Sequence, residues 1–205
     1  MPVLLVLIAI AAYLLGSVNG AIIVSRYLFH SDVRTMGSGN AGLTNFYRNY
    51  GAKGIAGVLG IDIAKGVLAP LIGGLVFGLA TSDPLLEQEY LRVGRIFATF
   101  CLVLGHVFPV FYGFRGGKGI LCGAAATFVI DYNAGVIALV VFALAFLLTR
   151  YVSLGSILGA VSVPVTLVAK GFSGLCMILI GLSVLLIIMK HAENIVRIAR
   201  HREPR

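Results

Sequence analysis

Three segments of the sequence combine glycine with cationic and small hydrogen-bonding side chains. Their sequences are GSGNAGLTNFYRNYG (37–51), GIDIAKG (60–66) and GHVFPVFYGFRGGKG (105–119). Glycine lets backbone N–H groups approach an anion closely, Arg offers a planar fork that matches phosphate oxygens, and Lys adds a point charge. These residue types therefore favour a site for a phosphorylated ligand.

A fourth polar segment, with His191, Asn194 and Arg197, follows the last apolar stretch of the chain. We expect it to join the other three segments at one end of the fold. The cations that stand nearest the glycines of these segments are Arg48, Lys65, Arg115 and Lys118.

Two positions allow a structural interpretation beside a functional one. Asp62 and Lys65 stand three residues apart inside an apolar stretch, so they share a helix face and are predicted to pair. That pair either belongs to the site or only stabilises the fold. His106, beside Gly105, is either a site residue or a packing histidine.

The known nucleotide motifs do not fit these segments. GSGNAG (37–42) matches the dinucleotide-binding pattern, but no strand precedes it and no βαβ unit surrounds it. In the third segment, Tyr112 and Gly119 occupy the places of the first Gly and the final Ser or Thr of an NTPase phosphate loop. The spacing of His, Cys and carboxylates predicts no metal site, and we expect no cofactor. A His-x-x-x-x-Asp pair is also lacking.

The elements that must position these residues are predicted to be membrane helices. Of the 205 residues, 59% are hydrophobic and only 12% are charged, which excludes a soluble globular domain and a disordered chain. Stretches of about 20 apolar residues are long enough to cross a bilayer. We predict one all-α domain, 1–205, with six long spans, one short span at 120–131, an acidic loop at 81–90 and a basic tail at 190–205. The six long spans are 3–24, 55–79, 93–111, 134–148, 154–168 and 172–189.

The distribution of cations predicts the orientation. If the N-terminus lies outside and all seven spans cross, 13 of the 16 Lys and Arg residues face the inner side, and only Arg92, Arg95 and Lys170 face outward. An excess of Lys and Arg marks cytoplasmic loops. Without a crossing by the short span, the basic tail would lie outside. The pattern therefore predicts a seven-transmembrane-helix bundle with the C-terminus in the cytoplasm. It also explains the net charge of +8 without a nucleic-acid partner.

The three glycine-rich segments resemble the three motifs of the bacterial acyl-phosphate-dependent glycerol-3-phosphate acyltransferases, the PlsY family. The first motif, G-S-G-N-x-G-x-T-N-x-x-R, is filled from Gly37 to Arg48, the second from Gly60 to Gly66, and the third from Gly105 to Gly119. The chain departs from the family at Ile120, Leu121 and Cys122, where Val-Ala-Thr is usual. The length and the seven predicted spans also agree with the family.

This resemblance implies an integral enzyme of the bacterial cytoplasmic membrane whose active site faces the cytoplasm. The implied reaction moves a fatty acyl group from acyl phosphate to the 1-hydroxyl of sn-glycerol 3-phosphate. Its products are lysophosphatidic acid and phosphate, in the first step of phospholipid synthesis. The bilayer and the two substrates are the implied partners.

The resemblance also suggests residue roles. The catalytic candidates are Ser38, Arg48, His106 and Lys118. Glycerol 3-phosphate is expected to contact Ser38, Arg48, Lys118, His191 and Asn194, with Asp62 and Lys65 buttressing or sharing that phosphate site. The acyl phosphate and the developing oxyanion are expected to contact Gly39, Asn40, Thr44, Asn45, Gly116 and Gly117. The base is a substrate phosphate, His106 or His191.

Two other classes of protein would use the same cations. A transporter of a phosphorylated metabolite would need polar residues along a path to the far side, whereas the outer halves of the predicted spans are almost purely apolar. A scaffold that binds anionic lipid through its basic tail would not need Ser, Asn and Thr between the glycines. The residues therefore favour chemistry on one side of the membrane.

Overall fold

The computed structural model describes residues 2–204, and every regular element among them is helical. Met1 and Arg205, which the predicted domain includes, lie outside the described residues. The helices are α1 (Pro2–Ser17), α2 (Gly20–Phe29), α3 (Leu43–Tyr50), α4 (Ile55–Gly78), α5 (Pro84–Val107), α6 (Ile120–Ile130), α7 (Tyr132–Thr149), α8 (Val152–Ala169), α9 (Gly174–Lys190) and α10 (Ala192–Ala199).

Five stretches within residues 2–204 are long and apolar enough to cross a membrane. They are α1 with α2, α4, α5 with the turn that follows it, α7, and α8; the pair of α9 and α10, bent by 54°, can form a sixth. Helix α6 is apolar but has only 11 residues. Large apolar side chains such as Leu75 and Leu148 lie exposed on the outer helix faces, as in a protein that contacts lipid. A seventh crossing and the orientation remain predictions.

Two of the predicted spans differ from the helices in a way that local sequence explains. The span 3–24 is broken after Ser17, and Asn19 caps the new helix because its Oδ1 accepts a hydrogen bond from Ile22 N at 3.0 Å. Helix α5 already begins at Pro84, inside the predicted acidic loop at 81–90. Asp83 caps it through Leu85 N, and proline suits the first helical turn.

Glycines bring α1 and α5 into backbone contact. A Cβ on Gly16 would lie 2.2 Å from Leu102 O, and a Cβ on Gly105 would lie 2.1 Å from Tyr13 O. Small residues allow this close approach in membrane bundles, where packing contributes most of the association energy. The contact fixes the C-terminal end of α5 beside the break between α1 and α2.

Candidate functional site

One cavity, of about 690 Å³, connects the polar segments with the apolar interior of the bundle. Its size lies within the range of small-molecule sites. One end is lined by the loop before α3, by Lys118 and by the residues around α10. The other end lies among α5 to α9 and is largely apolar, with wall residues that include Ile96, Val103, Gly123, Phe142, Val163 and Ile187. The cavity thus suits a ligand with a charged head and an apolar chain.

Most of the site residues expected from the sequence line this cavity. They are Ser38, Asn40, Thr44, Asn45, Arg48, Asp62, His106, Lys118, His191 and Asn194. The other four, Gly39, Lys65, Gly116 and Gly117, lie beside it without lining its wall.

The loop before α3 is held by one buried amide. Asn45 Oδ1 accepts a hydrogen bond from Ser38 N at 3.0 Å, while Asn45 Nδ2 lies 3.0–3.1 Å from the carbonyl oxygens of Val33, Met36 and Asn40. These contacts occupy the amide, so Asn45 shapes the loop and leaves little of its hydrogen-bonding capacity for a ligand. Gly39 helps the loop turn, because its φ of +69° lies in the left-handed region.

The N-terminus of α3 is suited to bind an anion. Gly42 occupies the cap position and provides no side-chain acceptor, so the first backbone N–H groups of the helix remain available. Arg48 follows in the last turn of the same short helix and lines the cavity, and its Nη2 donates to Pro204 O at 3.1 Å.

A second cation approaches the same end from the loop before α6. Lys118 Nζ donates to Asn194 Oδ1. Burial, followed by charge repulsion from Arg197, lowers the pKa of Lys118 to about 8, and Glu203 partly opposes this shift. His191 donates from Nδ1 to Ile187 O at 2.8 Å, because a carbonyl oxygen can only accept, and this leaves Nε2 as its acceptor atom.

Gly116 and Gly117 position that loop against α5. Their N–H groups donate to Val107 O at 3.2 Å and to His106 O at 3.1 Å. A Cβ on Gly116 would lie 2.0 Å from His106 O, and a Cβ on Gly117 would lie 2.3 Å from His106 Nε2. Close packing therefore accounts for both glycines here.

The predicted pairing of Asp62 with Lys65 is confirmed, and His106 completes a buried triad with them. Lys65 Nζ lies 2.9 Å from Asp62 Oδ1 and 2.8 Å from His106 Nδ1. It also donates to Gly16 O at 3.0 Å and to Val18 O at 2.6 Å. These acceptors use all the donor capacity of the ammonium group, so Lys65 braces the site without facing a ligand.

The triad bridges the break between α1 and α2. Asp62 Oδ1 accepts from Gly20 N at 3.3 Å, at the start of α2, while Lys65 binds carbonyl oxygens at the end of α1. An anion at a helix N-terminus and a cation at a C-terminus both match the helix dipoles. The broken span is therefore stabilised by side chains from α4.

Sequence reasoning missed Glu203 as a site residue. Its side chain is buried and lines the cavity together with Ser153 and Arg197. Burial alone would raise the pKa of Glu203, but hydrogen bonds from Asn194, Arg197 and Ser153 lower it overall. The signal in the sequence was that Glu203 is one of only two acidic residues in a basic tail.

Comparison with known proteins identifies the family. The family model described as glycerol-3-phosphate acyltransferase matches residues 6–201. A glycerol-3-phosphate acyltransferase of Thermoanaerobacter sp. (strain X514) is 42% identical over 157 residues, which cover 77% of this chain and 73% of the relative. The enzyme of that name from Finegoldia magna is 34% identical and covers 97% of this chain and 94% of its own length.

Two solved structures have the same fold. Both are crystal structures of PlsY (YgiH), an integral membrane glycerol 3-phosphate acyltransferase. The glycerol 3-phosphate form has a TM-score of 0.84 at 35% identity, and the lysophosphatidic acid form has a TM-score of 0.82 at 32% identity. Each comparison covers 98% of this chain and 94% of the other. This chain is therefore a multi-pass integral membrane protein that belongs to the glycerol-3-phosphate acyltransferase family.

Proposed function

We propose that this protein transfers a fatty acyl group from acyl phosphate to the 1-hydroxyl of sn-glycerol 3-phosphate, releasing lysophosphatidic acid and phosphate. The observation that carries the proposal is that one cavity has both a cationic, glycine-rich end and an apolar end. An acyl phosphate and lysophosphatidic acid each have one phosphate and one long chain. The family and the ligands named for the two solved relatives support the same reaction.

The polar end offers separate places for two phosphate groups. Glycerol 3-phosphate binds Arg48, Lys118 and His191, together with Ser38 and Asn194. The acyl phosphate lies at the start of α3, near Asn40 and Thr44, where Gly42 leaves backbone N–H groups available. Two anions held against each other in one geometry lower the entropic barrier of the reaction.

The reaction forms a bond between the 1-oxygen of glycerol 3-phosphate and the acyl carbonyl carbon. The bond from that carbon to the bridging phosphate oxygen breaks, and phosphate leaves with the electron pair. Nearby cations and N–H groups stabilise the charge that develops. The leaving group is good, so a strong base is not required.

The proton of the hydroxyl needs an acceptor. Nδ1 of His106 accepts from Lys65, which places the proton of the neutral ring on Nε2. His106 in this arrangement cannot accept the hydroxyl proton at Nε2. A substrate phosphate oxygen and His191 Nε2 remain as the acceptors.

The active site faces the cytoplasm of a bacterial cell, in the cytoplasmic membrane, and the seven-span orientation accounts for this placement. Support comes from the position of the cavity's polar end, which is built from the same segments that carry the inner-side cations. Cysteines introduced at 82 and at 201 test the orientation, since a membrane-impermeant maleimide should label only position 82 in intact cells. Labelling of position 201 in intact cells would refute the orientation.

Purified protein in detergent tests the reaction directly. Phosphate release should require both acyl phosphate and glycerol 3-phosphate, and acyl-CoA or acyl-carrier protein should not replace the donor. Arg48→Ala and Lys118→Ala should each lower kcat/KM for glycerol 3-phosphate by about 10- to 100-fold, because each removes a charged hydrogen bond to phosphate. Lys53→Ala, at an exposed cation outside the cavity, is the matched control.

Two outcomes would contradict the proposal. Full activity with acyl-CoA alone would refute the acyl-phosphate donor. Uptake of glycerol 3-phosphate into proteoliposomes without phosphate release would favour a transporter.

A further inference from the structure

The segment that follows α10 folds back over the polar end of the cavity. Glu203 and Pro204 both line the cavity, and Pro204 O accepts a hydrogen bond from Arg48. The side chain of Glu203 is only 3% exposed, although it lies near the end of a strongly basic tail. A buried carboxylate is costly unless it is fully paired, so its position needs a physical reason.

Glu203 is paired on every side. Its Oε1 accepts from Ser153 Oγ at 2.7 Å and from Asn194 Nδ2 at 2.6 Å, and its Oε2 accepts from Arg197 Nε at 2.8 Å. These partners come from the first turn of α8 and from α10. One side chain therefore connects two helices beside the cavity.

The contact with Asn194 determines which way that amide faces. Because Glu203 can only accept, it binds the Nδ2 of Asn194, and the Oδ1 must face the other way. Lys118 Nζ donates to that Oδ1. A chain of hydrogen bonds thus runs from Glu203 through Asn194 to the lysine that faces the ligand.

We propose that Glu203 is a positioning residue for glycerol 3-phosphate, acting through Asn194 on Lys118 while its neighbour Pro204 holds Arg48. The inference rests on the proposed function and adds to it a residue that does not itself bind the substrate. The Glu203 carboxylate would repel a phosphate group, so Glu203 contributes by orienting the cations and the Asn194 amide around the phosphate.

The negative charge of Glu203 also acts on Lys118. The charged groups that act on Lys118 are Lys190 at the end of α9, Glu193 and Arg197 on α10, and Glu203, while His191 is its titratable neighbour. Glu203 raises the pKa of Lys118 against the effects of burial and of Arg197. Loss of its charge should therefore make Lys118 lose its proton at a lower pH.

The test compares Glu203→Gln with Glu193→Gln in the full-length purified protein. Glu193 is a matched control because it also pairs with Arg197, at 3.6 Å, but is 85% exposed. Glu203→Gln should raise KM for glycerol 3-phosphate about 10-fold, because it weakens the charged hydrogen bonds from Asn194 and Arg197 that orient the groups around this substrate. The KM for acyl phosphate should change little, because that substrate is assigned to the start of α3. Glu193→Gln should match the wild type in KM for glycerol 3-phosphate at about pH 7, where Lys118, with a pKa of about 8, is largely protonated.

Two readouts separate positioning from a merely structural role. In an Asn194→Ala background, Glu203→Gln should add less than about two-fold, because the residue through which it acts is gone. The rise of KM with pH should also move to lower pH in Glu203→Gln. Glu203→Asp keeps the charge but shortens the side chain, so it should raise KM without moving the pH profile. If Glu203→Gln does not fold, Glu203→Asp provides the test of positioning in its place.

The inference is overturned if Glu203→Gln and Glu203→Asp both behave like Glu193→Gln. A lower KM would overturn it as well, because it would show that the tail obstructs the substrate. Absence of turnover in the wild type would instead refute the proposed function. Calorimetric titration of sn-glycerol 3-phosphate into the same variants then still tests Glu203: weaker binding in Glu203→Gln supports the inference, and equal binding overturns it.

Discussion

Removal of the buried ammonium group by Lys65→Met should destabilise the protein strongly. The side chains of Lys65 and Asp62 are each only 2% exposed, and their ion pair has a length of 2.9 Å. Removing one partner of such a pair leaves a buried charge without compensation, which costs about 3–5 kcal/mol. Lys65→Met also leaves the carbonyl oxygens of Gly16 and Val18 without their donor.

The expected loss is large enough to measure by thermal unfolding in detergent. At about 2–4 °C per kcal/mol for a chain of this size, the midpoint should fall by roughly 10 °C. The control is Lys170→Met, which removes the more exposed ion pair with Asp131 and should cost less than about 1 kcal/mol.

The double variant Asp62→Asn with Lys65→Met tests the reason for the loss. The Asp62→Asn change removes the negative charge but keeps a side-chain oxygen that can accept from Gly20 N. The double variant should therefore recover at least about 1 kcal/mol relative to Lys65→Met. The reasoning is refuted if Lys65→Met shifts the midpoint no more than Lys170→Met does. It is also refuted if the double variant is less stable than Lys65→Met by the full cost of a second independent loss.

Three further predictions concern binding, packing and the apolar end of the cavity. The KM for glycerol 3-phosphate should rise as pH increases through about 8, because Lys118 binds phosphate in its protonated form and burial lowers the pKa of Lys118 to about 8. A KM that stays constant from about pH 7 to about pH 9.5 would contradict this prediction. Gly105→Ala should lower the unfolding midpoint because its Cβ would lie 2.1 Å from Tyr13 O, whereas Gly181→Ala, with no atom within 4 Å of its Cβ, should not. Gly123→Phe should reduce kcat/KM more for long than for short acyl phosphates, because Gly123 lines the apolar end of the cavity. Gly60→Phe, on an exposed helix face, is the control. Equal losses for all chain lengths would count against an acyl chain at this end of the cavity.

The sequence by itself determined the class of fold and the three segments that form the site. Long apolar stretches predict membrane helices, because a bilayer satisfies no backbone hydrogen bonds and only a helix satisfies its own. The spacing of Asp62 and Lys65 predicts their pairing, because residues three apart share a helix face. The order of Gly, Asn, Thr and Arg in the first segment predicts the family, because all of these residues lie within one short stretch of chain, where their spacing can be read directly.

The roles of individual residues were decided by the tertiary structure. Lys65 looks like a ligand-binding cation in the sequence, but its carbonyl partners at Gly16 and Val18 lie 49 and 47 residues away and occupy its donors. Glu203 has no local signal beyond its sign, because its partner Ser153 lies 50 residues away on α8. Local patterns report which groups are present and on which helix face they lie. Which of those groups remain available to a ligand depends on contacts between distant segments, and these form only when the helices pack.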